Sequence, residues 1–323
     1  MFTLQELEAA ASLVHSVVPP TPQYAWPKLA ARAGCEVWVK HENHTPTGAF
    51  KVRGGLVYMD ELARSGAGRQ GVISATRGNH GQSISLSAAR AGLAATIYVP
   101  HGNSPDQNAS MRAFGATVVE FGADFEAARI EAARVAAERE LHFVPSFHGT
   151  LVRGVATYAL ELFRSAPPLD AVYVPIGMGS GICGVIAVRD LLGLPTEVIG
   201  VVADNAPAMA LSFAAGRPIA TESAKTFADG IATRTPQPEA VEIVLRGAAR
   251  IVRLPEDAIA DAMRVYFDDT HQVIEGAGAA ALAGLLQEKA SWRGKRVAVI
   301  ASGGNIERAR YERVLNGVTP IVE

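Results

Sequence analysis

The stretch Thr45-Pro-Thr-Gly-Ala-Phe-Lys-Val-Arg53 places one lysine, Lys51, directly after an aromatic residue and at the predicted start of a helix. A lysine that forms a Schiff base must be held rigidly and must lose its proton easily, and burial among apolar neighbours favours this. Phe50 and Val52 provide such neighbours. The rival interpretation is a helix-surface lysine paired with an acid such as Asp60, and the stretch taken alone favours that rival.

Outward from this stretch, apolar β-branched runs alternate with alanine-rich helical patterns. Strands are predicted at Glu36–Lys40, Gly71–Thr76, Ala94–Pro100, Ala116–Gly122, Ala171–Gly177, Glu197–Asp204 and Arg296–Ser302. Helices are predicted at Asn79–Ala91, Asp124–Glu140, Val155–Arg164 and Pro255–Thr270, and the segment Ala203–Arg234 is predicted to be loop-rich. This rhythm predicts an α/β protein with parallel sheets, whose ligands bind beyond the carboxyl ends of the strands.

Composition narrows the class of protein. The chain has 323 residues, of which 49% are hydrophobic, and this length fits two lobes with a large core. A formal charge of -2 and scattered basic residues argue against nucleic acid or a membrane as a partner. Cys35 and Cys183 form neither a metal-type spacing nor a disulfide framework. The N-terminus carries acids, and no apolar run approaches the ~20 residues that span a bilayer, so we expect a cytoplasmic protein.

A glycine-dense turn, Gly177-Met178-Gly179-Ser180-Gly181, joins a predicted strand to the segment that follows it. Backbone N–H groups in such a turn form an anion site, which the dipole of a following helix strengthens. The Ser180 hydroxyl adds a donor, whereas Met178 must tolerate the backbone angles of the turn. The rival interpretation is dinucleotide binding, but position 182 is isoleucine, so the G-x-G-x-x-G spacing is absent.

A second loop, Thr76-Arg77-Gly78-Asn79-His80, opens into a predicted helix. The first N–H groups of a helix have no partner within it and bind anions, and glycine lets the ligand approach closely. Asn79 is also a favoured N-cap residue, and the two interpretations are compatible. His80 invites assignment as a general base, but the favoured interpretation gives it a structural role or only the use of its backbone N–H.

Two further residues stand at the ends of predicted elements. Ser302 follows the last predicted strand in the run Ser-Gly-Gly-Asn305, which in isolation is an ordinary strand-end turn. Glu275 precedes a run of glycine and alanine that opens another helix, where a carboxylate suits the positive end of the helix dipole. Neither residue by itself indicates chemistry.

In this order and spacing, these elements resemble the fold-type II pyridoxal-phosphate (PLP) enzymes, and within them the threonine/serine dehydratase and serine racemase group. The resemblance covers nearly the whole chain. It implies the tryptophan-synthase-β-like α/β fold, with two lobes that each contain a mainly parallel sheet flanked by helices. It implies a large domain of residues 1–70 and 148–323, a small domain of residues 71–147, and pyridoxal 5′-phosphate as the cofactor.

The resemblance also implies a role for each residue that meets the cofactor ring. Lys51 is the catalytic lysine that carries PLP as a Schiff base, and the Phe50 ring packs nearby. Asn79 bonds the phenolic oxygen, and the Ser302 hydroxyl meets the pyridine nitrogen. A neutral hydroxyl there leaves a weaker electron sink than a carboxylate would, which favours expulsion of a β-hydroxyl over transamination. Glu275 is expected close to the cofactor.

The resemblance further implies that the loops 177–181 and 76–80 bind the charged groups of the cofactor and the substrate. In the resembled group, the turn 177–181 binds the phosphate of the cofactor. The loop 76–80 holds the α-carboxylate of the substrate. Gly230, in the run Ala-Asp-Gly230, is expected as a close-approach glycine at the ring edge.

The chain departs from the resembled group in two places. Members bind a cation through two acids after the strand that matches Glu197–Val202, but Ala203 and Met209 stand at those positions and Asp204 is one residue out of register. We therefore expect no metal there, or at most a displaced one. Arg77 replaces the serine that gives racemases a second base, and an arginine is effectively always protonated. Arg77 is therefore either a carboxylate clamp or an arginine without a substrate role.

These expectations combine into a PLP-dependent ammonia-lyase that converts a β-hydroxy amino acid, by default L-threonine or L-serine, to a 2-oxo acid and ammonia. 3-Hydroxyaspartate and phenylserine stay open as substrates. A serine racemase, a β-replacement synthase and a non-catalytic ligand-binding protein stay open as alternatives. The family implies a homodimer or homotetramer. The chain ends soon after Asn305, so we expect no regulatory domain.

Overall fold

The structure, a computed structural model, describes residues 1–321. The α-helices, numbered α1 to α14 in chain order, are Leu4–His15, Pro27–Ala33, Lys51–Ser65, Asn79–Arg90, Pro105–Ala113, Phe125–Glu138, Gly149–Val155, Thr157–Ser165, Ser180–Leu191, Ala208–Ala215, Pro238–Gly247, Glu256–Thr270, Gly276–Gln287 and Arg308–Leu315. The strands, numbered β1 to β10, are Gln23–Ala25, Glu36–His41, Val72–Ala75, Ala95–Val99, Thr117–Glu120, His142–Phe143, Ala171–Pro175, Glu197–Ala203, Arg250–Leu254 and Arg296–Ala301. Short 3-10 helices lie at Glu42–His44, Asp229–Ile231 and Lys289–Trp292.

The strands form two sheets, which confirms the α/β prediction. The larger sheet has the order β1-β2-β10-β7-β8-β9 and is parallel except for the edge strand β1. The smaller sheet has the order β5-β4-β3-β6 and is parallel throughout. Because every strand of the smaller sheet lies between Val72 and Phe143, we propose residues 71–147 as the small domain and the remainder as the large one.

The predicted strands and helices all have counterparts whose ends differ by no more than two residues. The predicted loop-rich segment 203–234 is interrupted by α10, an apolar helix that includes the buried Met209. The predictions omitted the edge strands β1, β6 and β9, which are short or carry charged residues. None of the described helices combines the length and the apolar character needed to cross a bilayer.

Helix α13 carries one of the site residues to the edge of the large sheet. Its sequence, GAGAAALAGLLQ, is buried from Gly276 to Leu285, and it packs on β7, β8 and β10. A Cβ at Gly284 would lie 2.9 Å from Val201 and 3.2 Å from Tyr173, so a small residue is needed for this close packing. The helix begins directly after Glu275, which therefore lies at the carboxyl edge of the strands.

A buried ion network anchors the first turn of α3. Arg53 donates to Glu42 (Nε–Oε2 2.7 Å) and to Glu161 (Nη1–Oε1 2.6 Å), and Lys40 donates to Glu161 at 2.5 Å. The two cations and two carboxylates balance, whereas one of them left unpaired in the interior would be costly. Since Arg53 follows Lys51 by two residues, the network fixes the helix turn that carries Lys51.

Candidate active site

Lys51 is the first residue of α3 and lies among residues of both domains. Its Nζ is 4.6 Å from the centroid of the Phe50 ring, and its carbonyl accepts a hydrogen bond from Ser83 Oγ at 2.7 Å. Burial lowers the pKa of Lys51, and the charge of Glu275 offsets part of this effect. The surface interpretation is wrong, since Asp60 pairs with Arg64 instead. Lys51 is thus an enclosed amine that loses its proton easily.

The glycine-dense turn connects β7 to α9, so the predicted strand–turn–helix arrangement is present. A Cβ at Gly177 would lie 2.3 Å from the carbonyl oxygen of Gly230, which leaves no room for a side chain. Gly179 has φ +104°, in the left-handed region, and a Cβ there would lie 2.8 Å from that of Ala240. The turn therefore presents bare backbone at the start of α9, where the first N–H groups have no partner within the helix.

An aromatic pair supports this turn from behind. The Tyr158 hydroxyl donates to the Gly181 carbonyl at 3.1 Å, and the Phe50 ring meets Tyr158 edge-on at 6.1 Å between centroids. Burial raises the pKa of Tyr158, so its hydroxyl stays protonated and remains a donor. Met178 is not among the non-glycine residues with positive φ, and its sulfur lies 3.8 Å from Thr233 Oγ1. A methionine therefore fits where the resembled group has glycine.

The loop 76–80 connects β3 to α4, as predicted. Thr76 Oγ1 accepts a hydrogen bond from the Gly78 N–H at 3.1 Å, which shapes the entry to the helix. Arg77 points outward, with 58% of its side chain exposed, and its Nη1 lies 3.9 Å from Asp229 Oδ1 of the large domain. Arg310 approaches the other oxygen of Asp229 at 3.4 Å. Two guanidinium groups thus surround one carboxylate where the loop 76–80 faces Asp229, at the mouth of what we call the cleft, the region between this loop and the segments at Lys51, Gly177 and Glu275.

His80 stands beside Lys51 and stays neutral. Burial, together with the charge of Lys51, lowers the pKa of His80 to about 3, while a hydrogen bond with the Pro145 carbonyl opposes this shift. A group with so low a pKa is a poor general base near neutral pH, which supports the structural interpretation. Its Nε2 is shielded from solvent and has no hydrogen-bond partner in the described chain. A ligand in the cleft would provide the missing partner.

Three residues that are distant in sequence meet at the centre of the cleft. Asn79 Nδ2 donates to Glu275 Oε1 at 2.8 Å, and Asn305 Nδ2 donates to Asn79 Oδ1 at 2.7 Å. Ser302 is buried next to them, and its carbonyl accepts from the Phe50 N–H at 3.1 Å. The structure thus brings Lys51, Phe50, Asn79, Glu275 and Ser302 together from four separate parts of the chain.

The Glu275 carboxyl is poised to titrate near neutral pH. Burial raises the pKa of Glu275 to about 7, and the charge of Asp229 adds to this effect. The hydrogen bond from Asn79 and the charge of Lys51 act in the opposite direction. Glu275 therefore changes its charge at the pH at which most enzymes work.

The raised pKa of Glu275 predicts a stability effect in the cofactor-free protein. An acid whose pKa is higher in the folded state costs stability as the pH rises from its unfolded value of 4.5 through about 7. Replacement of Glu275 with glutamine should therefore stabilise the fold by about 2 kcal/mol at pH 8, with the gain shrinking towards pH 5. Urea unfolding at both pH values measures this, with the exposed Glu239→Gln as control. An equal gain at both pH values would contradict the assignment.

Several residues of the site were not identified from the sequence. Tyr158 is the second residue of α8, Ser83 lies one turn into α4, and neither belongs to a recognisable motif. Asn305 ends the run Ser302-Gly-Gly-Asn305, and the sequence assigns it no role. Two polar residues of α7 and its start have partners outside the site: His148 caps α7 at its N-terminus, and Arg153 pairs with Glu61.

The position of the cation site in the resembled group is apolar in this chain. Ala203 and Met209 are buried in the hydrophobic core of the large domain. In the described part of the chain, no group of three or more His, Cys, Asp or Glu residues could hold a metal ion. The expectation that this site binds no metal stays a prediction.

The residues present suit pyridoxal phosphate. The turn at Gly177 and Gly179 is a cradle that side chains would fill, next to the start of a helix twelve residues long. Lys51, whose pKa burial lowers, is near enough to His80 for its charge to act on that ring, and the neighbouring Phe50 ring lies 3.9 Å from where a Cβ at Gly181 would stand. An anion cradle and an amine whose pKa burial lowers are what a phosphorylated aldehyde requires.

Comparison with known proteins agrees with this geometry. The sequence model of the family described as "Pyridoxal-phosphate dependent enzyme" matches residues 14–303. The chain belongs to this family. It is 33% identical to the L-threonine ammonia-lyase of Thermotoga maritima, over 98% of this chain and 79% of that protein. Membership of this family confirms the prediction that the cofactor is PLP.

Solved structures place the chain within the predicted group of this family. The processed form of threonine deaminase isoform 2 from Solanum lycopersicum superposes with a TM-score of 0.91 at 28% identity, over 97% of this chain and 93% of that one. Maize serine racemase shares the fold, with a TM-score of 0.90 at 24% identity, over 98% and 97% of the two chains. The fold-type II assignment is therefore confirmed.

Proposed function

We propose that this PLP-dependent enzyme is a dehydratase, or ammonia-lyase, that converts a β-hydroxy amino acid to a 2-oxo acid and ammonia. L-Threonine and L-serine are the default substrates. The observation that carries the proposal is the enclosed amine of Lys51 in the same cleft as a buried hydroxyl residue, Ser302, at the end of β10. The names of the relatives, an L-threonine ammonia-lyase and a threonine deaminase, support this assignment.

The proposed mechanism gives each element of the cleft one task. Bound pyridoxal phosphate supplies an electron sink that weakens the bonds at the substrate Cα. The turn 177–181 holds the phosphate, and the loop 76–80 holds the α-carboxylate with its backbone N–H groups. Lys51 Nζ, whose pKa burial lowers, accepts the proton from the substrate Cα. The β-hydroxyl takes up one proton and leaves as water, which balances the proton that Lys51 accepted from Cα. Hydrolysis of the product then consumes one water and yields the 2-oxo acid and ammonia.

Racemisation is disfavoured because it needs a base on each face of the substrate. The position at which racemases carry their second base is Arg77, which is exposed and faces Asp229 at the mouth of the cleft. His80, the other ring near Lys51, has its pKa lowered to about 3 by burial and by the charge of Lys51. Neither residue supplies a base of suitable strength.

A second candidate is the same elimination on an acidic substrate such as 3-hydroxyaspartate. The observation that favours it is the pair Arg77 and Arg310, which flank the single carboxylate of Asp229 and leave one positive charge in excess at the mouth. A side-chain carboxylate of the substrate would neutralise that excess. If so, Arg77→Gln should lower kcat/KM for 3-hydroxyaspartate at least about tenfold more than for L-threonine.

The proposal is tested by measuring 2-oxo acid and ammonia from L-threonine, L-serine, both diastereomers of 3-hydroxyaspartate and phenylserine with the PLP-loaded protein. We expect equal amounts of the two products, with one substrate clearly preferred. Amino acid recovered with inverted configuration, or a thioether formed when a thiol is added, would favour a racemase or a β-replacement synthase. Bound PLP with no reaction on any substrate would favour a binding protein.

Two further expectations about this enzyme rest on the sequence and the family alone. We propose that it works in the cytoplasm on a free amino acid, without nucleic acid or a membrane as a partner. We also propose that it assembles as a homodimer or homotetramer, as the family implies. Sedimentation of the PLP-loaded protein decides the second point.

A further inference from the structure

We infer that Asn305 is a positioning residue that fixes which way the Asn79 amide faces, so that its NH2 group rather than its oxygen is presented to the cofactor. This inference rests on the proposed PLP site, and it adds a residue to which no role was assigned from the sequence. It is carried by a chain of hydrogen bonds that crosses the cleft from the loop before α3 to the start of α13.

The direction of these hydrogen bonds is set where Asn305 meets Thr47, in the large domain. Asn305 Nδ2 donates to the carbonyl oxygen of Thr47 at 2.7 Å. A carbonyl oxygen only accepts hydrogen bonds, so the NH2 group of Asn305 must face Thr47. The same nitrogen lies 2.7 Å from the side chain of Asn79, and it has a second hydrogen to donate.

The orientation of Asn79 follows from this. Two NH2 groups cannot face each other across 2.7 Å without a lost hydrogen bond, so Asn79 must turn its oxygen to Asn305. Its own NH2 group then faces Glu275 Oε1, at 2.8 Å. The hydrogen bond to Glu275 uses one of the two amide hydrogens of Asn79. The second hydrogen is free to be donated to a ligand. Without Asn305, only the Glu275 carboxyl would orient the amide, and its protonated form can donate to the Asn79 oxygen as well as accept from the NH2 group.

Asn305 itself is held firmly. Its Oδ1 occupies the space next to Gly48, where a Cβ would lie 2.5 Å away, and Gly48 has φ +66°. The Gly304 N–H donates to the Gly48 carbonyl at 2.9 Å, so the two loops are joined. From the small domain, Gln107 donates from Nε2 to the Asn305 carbonyl at 3.4 Å, and its Oε1 accepts from Gln82 Nε2 at 2.6 Å. Asn305 is therefore rigid enough to impose an orientation on its neighbour.

The test replaces Asn305 with aspartate, which has the same shape but whose carboxylate cannot donate. Asn79 would then turn its NH2 group towards the new carboxylate and its oxygen towards the cofactor. Asn305→Ala, which removes the side chain, gives a second reading should the aspartate variant fail to fold. Asn103→Asp is the matched control, because Asn103 donates to Asn108 at 2.6 Å in an amide pair outside the site.

The readouts are the PLP dissociation constant and the pH titration of the absorbance band of the bound cofactor. For Asn305→Asp and Asn305→Ala, we expect the dissociation constant to rise about tenfold, which corresponds to one lost hydrogen bond of about 1.4 kcal/mol. The titration midpoint should move in the same direction as in Asn79→Ala. Asn103→Asp should change neither readout by more than about twofold.

The decisive arm combines Asn305→Ala with Asn79→Ala. If Asn305 acts through Asn79, the double variant should match Asn79→Ala in both readouts within about twofold. Additive effects, or wild-type values in both single variants of Asn305, would overturn the inference. A wild-type protein that does not bind PLP would overturn the proposed function as well. Bound PLP without turnover would overturn only the dehydratase assignment, because both readouts here are independent of turnover.

Discussion

Lys51→Ala is expected to abolish turnover, with a loss of at least about 10³-fold, and to remove the absorbance band of the bound cofactor in the same step. The reason is that Lys51 has two tasks, the bond to the cofactor and the removal of the substrate proton. Its Nζ lies in the cleft against Phe50, and burial lowers its pKa. Spectra and 2-oxo acid release measured on one preparation test both tasks.

The matched control for this variant is Lys40→Met. Lys40 is fully buried and, like Lys51, has a pKa that burial lowers, but its ammonium is bound to Glu161 and to the Thr21 carbonyl. Removing it should cost about 3 kcal/mol of stability, since it leaves a buried carboxylate short of a partner, yet the cofactor band should persist. Turnover that survives in Lys51→Ala, or a band lost in Lys40→Met but kept in Lys51→Ala, would refute the assignment of Lys51.

Gly177→Ala is expected to weaken PLP binding by about 100-fold, because overpacking against fixed backbone costs about 1–3 kcal/mol. The added Cβ would lie 2.3 Å from the carbonyl oxygen of Gly230. That oxygen belongs to the backbone of the segment next to α13, so it cannot rotate away as a side chain would. Either the phosphate turn or the segment around Gly230 must shift, and both line the cleft.

The control for Gly177→Ala is Gly149→Ala. Gly149 also stands at the start of a helix, its φ is not positive, and a Cβ there would meet nothing within 4 Å. Equilibrium dialysis of PLP against both variants gives the comparison. Equal affinity in the two would mean that the turn 177–181 does not hold the phosphate. Loss of affinity in Gly149→Ala alone would point to α7 as part of the site.

The sequence was sufficient to predict seven of the ten described strands, all but the edge strands β1, β6 and β9, and the two loops that open into helices. Their signals are local: buried apolar runs for β7 and β8, and glycines at the start of α9. These features depend on residues adjacent in the chain, which is why they could be predicted. Lys51 was singled out differently: Phe50 and Val52 provide apolar neighbours, but the stretch alone favours a surface lysine, and the order of the other motifs along the chain decided its assignment.

The cooperation among side chains could not be predicted in this way. Asn79, Glu275 and Asn305 come from three distant segments, and no spacing rule indicates that their amide and carboxyl groups would be joined by hydrogen bonds. The raised pKa of Glu275 has the same origin, because it arises from burial in an assembled cleft. Glu275 in the sequence is indistinguishable from an ordinary acid at a helix N-terminus.

The most direct test of the central claim is to find which lysine bears the cofactor. Borohydride reduction of the PLP-loaded protein fixes the cofactor to its lysine, and peptide mass spectrometry then locates the added mass. We expect the label on the peptide that contains Lys51 and none on Lys40, the other lysine enclosed in the fold. A label on any other lysine, or no label on a protein that retains the cofactor band, would contradict the assignment of Lys51.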